Sequence, residues 1–206
     1  MTHPRHVQVS DLLADFSLYD RETITVQDLL DQFGERAFGA LMLVFAAPLV
    51  LPMPPGLSAV LGAPLVFITG QLMVGRQKLW LPKIVSQREI RHRDFIAIAD
   101  KVLPYLRKLE SRLKPRMTWL LAPVAERLIG AVALVLAVIV FLPIPFGNML
   151  PSLAIAVLGL GIVERDGLAA LIGWLAAVAS VALLAFVSKA LAAATVVFFT
   201  TLLAPF

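Results

Sequence analysis

The 206-residue chain contains no cysteine, which removes disulfide frameworks, thiolate nucleophiles and cysteine-ligated metals from consideration. Charge is scarce, at 16% of residues, and is absent altogether from residues 37–75, 128–163, 167–188 and 190–206. Hydrophobic residues make up 59% and mean hydropathy is +0.86, against roughly 45–50% apolar in soluble domains. Four long uncharged runs exclude a soluble fold and identify an all-α integral membrane protein.

Catalytic signatures are missing as well. The sequence has no Gly-Lys-Ser/Thr phosphate loop, no Gly-x-Ser-x-Gly elbow and no His-Glu-x-x-His zinc helix. His3, His6 and His92 lack partner ligands at metal spacing, so no metal, cofactor or catalytic residue is expected. The glycines of "GLGIVERDG" follow no strand pattern and read as helix-packing positions rather than a dinucleotide loop. The first 36 residues carry seven acids and no apolar h-region, so no signal peptide is expected.

The charges that are present are segregated. Residues 1–36 hold three arginines against seven acids, and residues 76–127 hold 13 Lys and Arg against five acids. The positive-inside rule makes that central block cytoplasmic. Flanked by membrane segments, it points to anionic lipid headgroups as partner rather than nucleic acid.

Two apolar runs are broken alike. "ERAFGALMLVFAAPLVLPMPPG" (Glu35 to Gly56) and "ERLIGAVALVLAVIVFLPIPFG" (Glu126 to Gly147) align at a constant offset of 91. The offset pairs Glu35 with Glu126, Arg36 with Arg127, Gly39 with Gly130, Pro52 with Pro143, Pro54 with Pro145, and Gly56 with Gly147. An internal duplication is the economical reading. Proline removes a backbone donor and glycine admits positive φ, so each copy reads as a helix, a tight break and a returning helix. Both copies start from polar flanks joined by the basic linker, which predicts parallel rather than inverted repeats.

Five segments follow within one membrane domain: an N-terminal amphipathic segment (1–34), the first hairpin (35–75), a basic cytoplasmic linker (76–125), the second hairpin (126–166) and a C-terminal apolar region (167–206). In the linker, Phe95, Ile98, Val102, Leu106, Leu109 and Leu113 predict an interfacial amphipathic helix, with Trp80 and Trp119 as interface anchors. Thr25 with Asp28 reads as the cap of the helix that enters the membrane. A single helix after residue 166 would exceed a bilayer, so two spans turning near Ser188 and Lys189 are expected. Ala169, Gly173 and Ala177 form a flat face for close helix packing, and a homodimer through it is the sharper expectation.

Candidate site residues are Glu35, Arg36, Glu126 and Arg127 at the membrane boundaries and Asn148 past the second break, as a substrate or ion path. Pro52, Pro54, Gly56, Pro143, Pro145 and Gly147 form the breaks. Structural anchoring is the alternative role for the Glu-Arg pairs, since arginine snorkels to the surface at little cost.

The run "FGALMLVFAAPLVLPMPPGLSAVLGAPLVFITGQLMVGRQKLWLP", with "VLPYLRKLESRLKPR" in the linker, resembles the bacterial ExoD family of exopolysaccharide-synthesis membrane proteins. The resemblance implies a multi-pass inner-membrane protein needed for exopolysaccharide production and, in some relatives, for alkaline tolerance. It brings no catalytic residues. The paired proline-broken hairpins are also similar to DedA-type lipid carriers, but the acidic residue of their proline motif is absent beside Pro52 and Pro143. Two roles follow: a small carrier with a site at the paired hairpin tips, or a non-catalytic scaffold for the polysaccharide-synthesis machinery.

Overall fold

The computed structural model describes residues 10–11, 23–34, 36–51, 56–87, 89–91, 96, 100, 103–104, 107–108, 111, 113–142 and 147–202. Glu35, Pro52, Pro54, Pro143, Pro145 and all of the linker helix's apolar positions except Leu113 lie outside the described residues. The architecture is helical, as the composition requires. One short antiparallel ribbon is added, in which β1 (Thr23–Thr25) pairs with β2 (Glu89–Arg91).

Helix α1 (Val26–Phe33) opens on a capping box: the Asp28 amide donates to Thr25 Oγ1 at 3.1 Å and the Thr25 amide to Asp28 Oδ2 at 3.0 Å. The cap forms, but it does not start a membrane helix. Gly34 at φ 54 ends α1, and a separate helix, α2 (Arg36–Leu49), carries the first apolar run. A residue at positive φ cannot continue a right-handed helix, and glycine adopts it without a Cβ clash, so the chain turns there.

After α2 come α3 (Leu57–Val74), a short α4 (Lys83–Ser86), a 3-10 turn (Thr118–Leu121), α5 (Pro123–Phe141), α6 (Met149–Glu164) and α7 (Gly167–Leu202). Three of these, α3, α5 and α7, are long and apolar enough to cross a membrane; α2 and α6 are shorter. At 14 and 16 residues, those two measure about 21 and 24 Å.

The helices of the two apolar halves pack across each other. At Gly39 in α2, a methyl group would strike the Gly159 carbonyl and the Val163 side chain of α6. At Gly130 in α5, it would strike the backbone of Leu72 and Met73 in α3. Small residues here let backbones approach closely enough for dispersion to hold helices together where water supplies no driving force. The core between them is formed by Phe38, Met42, Leu65, Ile68, Ile129, Leu136, Ile155 and Leu158, all at most 1% exposed. Helix α6 is apolar on every side and lies mostly buried among α2, α5 and α7, as an all-round apolar helix must.

One expectation is corrected at the C-terminal end. Residues 167–202 form one continuous helix, with no turn at Ser188 and Lys189. No proline or glycine follows Gly173 before residue 205, so nothing interrupts the backbone hydrogen bonds, and Lys189 is exposed on the helix surface. The small-residue face of α7 is used within the chain. Ala169 and Ala177 are buried, and a side chain at Gly173 would collide with Leu158 of α6. Within the chain, α6 covers that face.

Candidate functional site

The starts of α2 and α5 and the ends of α3 and α6 meet at one end of the bundle. There they enclose a cavity of about 150 Å³, whose lining includes Phe38, Leu72, Arg76, Gln77, Glu126, Arg127 and Arg165. Pro123 fixes the first turn of α5 after the extended Ala122, which is where a residue without an amide hydrogen fits best. Glu126 then falls in that first turn, where the helix dipole favours a carboxylate.

Gly75 ends α3 in the left-handed region at φ 78. A side chain there would occupy the place of the Arg127 guanidinium, so Gly75 both turns the chain and leaves room for Arg127 at the α3 C-terminus. Arg165 ends α6 at φ 50, a conformation that costs a non-glycine residue about 1–2 kcal/mol. Glu126 and Arg165 both have partners within the protein. Arg76 and Arg127 are exposed and make no ion pair among the described residues.

Of the expected site residues, Glu126 and Arg127 line this cavity. Arg36 opens α2 at the same end without lining it. Asn148 and the break glycines Gly56 and Gly147 sit at the other end, separated by the 19 residues of α5, about 28 Å. Arg36, Glu126 and Arg127 therefore lie at the opposite end of the bundle from Gly56, Gly147 and Asn148. Gly56 has φ −93 and ψ −35, so the first break does not use that glycine for positive φ.

At the break end, two buried oxygens have no hydrogen-bond partner among the described residues: Ser58 Oγ at the start of α3 and Asn148 Oδ1 at the cap of α6. Elsewhere in the same helices, Thr69 Oγ1 donates to the Leu65 carbonyl at 2.7 Å and Ser152 Oγ to the Asn148 carbonyl at 2.6 Å. Among the described residues, no group of three His, Asp or Glu is placed to hold a metal ion.

Sequence reading missed Arg76 and Arg165 as cavity residues and missed Asp166 entirely. Asp166 caps α7, accepting from the Leu168 amide at 2.9 Å and the Ala169 amide at 3.4 Å. It also accepts from the Lys114 amide at 3.2 Å and from Arg116 Nε at 3.1 Å. The carboxylate is fully buried. Burial pushes its pKa up, but the Arg116 bond and the three amides outweigh that and hold it below the usual carboxylate range. The signal was present: an acid directly before an apolar run is an N-cap.

The stretch "GRQKLWLP" folds back on α3. Gln71 accepts from the Trp80 amide at 2.9 Å and donates to the Trp80 carbonyl at 3.0 Å, and the rings of Phe67 and Trp80 lie 5.8 Å apart.

Residues 9–186 match the family model described as "Exopolysaccharide synthesis, ExoD". The uncharacterized protein slr1875 of Synechocystis sp. is 32% identical over 148 residues, covering 71% of this chain and 70% of that protein. Protein ExoD of Rhizobium meliloti is 33% identical over 151 residues, covering 71% of this chain and 62% of that protein. No solved structure matches significantly. With a family match over most of its length and this extent of similarity, the chain belongs to the ExoD family of exopolysaccharide synthesis.

Proposed function

We propose that this protein is a multi-pass inner-membrane component of exopolysaccharide synthesis, working as a small carrier built from two duplicated hairpins. The observation that carries the reading is the pair of buried oxygens, Ser58 Oγ and Asn148 Oδ1, that have no partner among the described residues, one just after each break. Leaving a buried polar atom unsatisfied costs about 1–3 kcal/mol, and folds retain few of them. Two of them, one just after each break and one residue out of register with the offset of 91, are explained if they face a polar substrate.

Packing supports the duplication. Gly39 meets Val163 and Gly130 meets Leu72, and both members of the first contact are related to those of the second by the offset of 91. Two copies packed about a common axis make equivalent contacts in this way. The breaks, at matching ends, would then line one path.

The test is complementation of a strain that has lost the gene, using Ser58→Ala combined with Asn148→Ala and measuring membrane abundance alongside. Production of exopolysaccharide should fall severalfold at normal abundance. Full production by the double variant would remove the tip site.

A scaffold is the second reading, favoured by the Asp166 network that ties the end of the basic linker rigidly to α7. Under that reading the purified protein in liposomes moves no sugar lipid, proton or sodium ion, whereas a carrier moves one of them.

A further inference from the structure

We propose that the arginine-lined cavity at the Glu126 end binds a phosphate group. Three arginines, Arg76 after α3, Arg127 in α5 and Arg165 after α6, line a cavity of about 150 Å³ together with one acidic residue, Glu126. The excess of two positive charges matches a phosphomonoester, which carries about −1.5 to −2 at neutral pH. Guanidinium forks bind phosphate oxygens in pairs, so several of them converging on one small space select phosphate over a monoanionic carboxylate.

The site is partly assembled in advance. Glu126 and Arg165 are held by partners, and Gly75 leaves room for Arg127 at the mouth. Arg165 occupies a left-handed position where glycine would be cheaper, so the backbone bears strain while an arginine stands at the cavity. Arg76 and Arg127 supply the remaining charge. A cavity of about 150 Å³ has room for a phosphate group.

Position suggests where the phosphate comes from. Trp80 and Trp119, 55% and 68% exposed, flank the same helix ends, and exposed tryptophans of spanning proteins sit at headgroup level. A phosphate at that depth is a lipid headgroup or a free anion drawn from water. The inference holds for the carrier and the scaffold alike and does not depend on the break-end oxygens.

Native mass spectrometry of the purified full-length protein, offered phosphatidic acid or phosphatidylcholine, tests it. Phosphatidic acid should be retained about tenfold better, and inorganic phosphate should displace it. Arg127→Gln and Arg76→Gln should each lower retention about tenfold, while Arg107→Gln, an exposed linker residue that does not line the cavity, should leave it unchanged. Arg76 is exposed and follows its helix, so Arg76→Gln keeps the fold and decides the matter should Arg127→Gln misfold. If inorganic phosphate raises the melting temperature in an Arg76-dependent manner while phosphatidic acid is not retained, the phosphate site stands with a soluble source. Equal retention of both lipids with no thermal response to phosphate, or unchanged retention by Arg76→Gln, overturns the proposal.

Discussion

Arg116 Nε donates to Asp166 Oδ1 at 3.1 Å, joining residues 50 positions apart. The adjacent backbone adds a second tie, since the Gly167 amide donates to the Arg116 carbonyl at 2.8 Å. Arginine is half exposed and aspartate fully buried, so the ion pair alone contributes modestly. The larger share comes from the amides that converge on one carboxylate. Without it, the first turn of α7 and the end of the linker would both hold unmet donors.

Asp166→Ala should destabilise the protein by about 2–4 kcal/mol, combining a lost cap with a stranded Lys114 amide. Because the folded pKa lies below the ordinary carboxylate value, the charge-dependent stabilisation is complete above that ordinary value. It declines as pH falls below it and is gone once pH drops through the depressed folded value. Asp166→Asn should flatten this acid limb. Thermal melts of both proteins across acid pH, in the same detergent, measure the difference; parallel curves would refute it.

Gly130→Leu should be severely destabilising, by about 3 kcal/mol or more, because the Leu72 and Met73 backbone leaves no room. Gly56→Ala should change stability by less than about 1 kcal/mol, since Gly56 has ordinary right-handed angles and open space around it. Membrane abundance and melting temperature of the two variants give the comparison. A Gly56→Ala protein as damaged as Gly130→Leu would contradict the described break geometry.

Side placement can be read chemically in a cysteine-free chain. Gln77→Cys and Lys108→Cys should resist impermeant thiol reagents in intact cells and react in inverted vesicles. Leu51→Cys and Leu142→Cys, exposed beside the breaks, should be the ones that react from outside if the breaks face the periplasm. Labelling of Lys108→Cys from outside would place the linker on the wrong side.

What the sequence disclosed was whatever depends on periodicity and on rare residues. Apolar runs of helical length announced α2, α3, α5 and α6, and the Thr25 and Asp28 pair announced a cap. What it hid was which helix faces which. Gly39, Gly159 and Gly173 all read alike as small residues in apolar surroundings, and only the folded chain shows that Gly173 meets Leu158. The cavity was half legible for the same reason. Glu126 and Arg127 stood out because their dipeptide is repeated, whereas Arg76 and Arg165 come from different segments and converge only through the cross-packing of α3 with α5 and of α6 with α2. The continuity of α7 was legible in principle, since no breaker interrupts it, but the bilayer-length argument outweighed that signal.

Helix α7 runs unbroken for 36 residues, about 54 Å, and is anchored at its first turn by Asp166. Ala169, Ala170 and Ala177 bury its near half, whereas Phe186, Val187, Val196 and Val197 further along are exposed. Crossing a hydrocarbon layer of about 30 Å by tilting alone would require a lean beyond the usual limit of about 40°. The far half therefore projects from the bundle as a rod anchored at its first turn. A rotation of about 10° at the Asp166 anchor would carry the distant tip sideways by about 9 Å at this length, so a small change of angle at the linker end is a large displacement at the other.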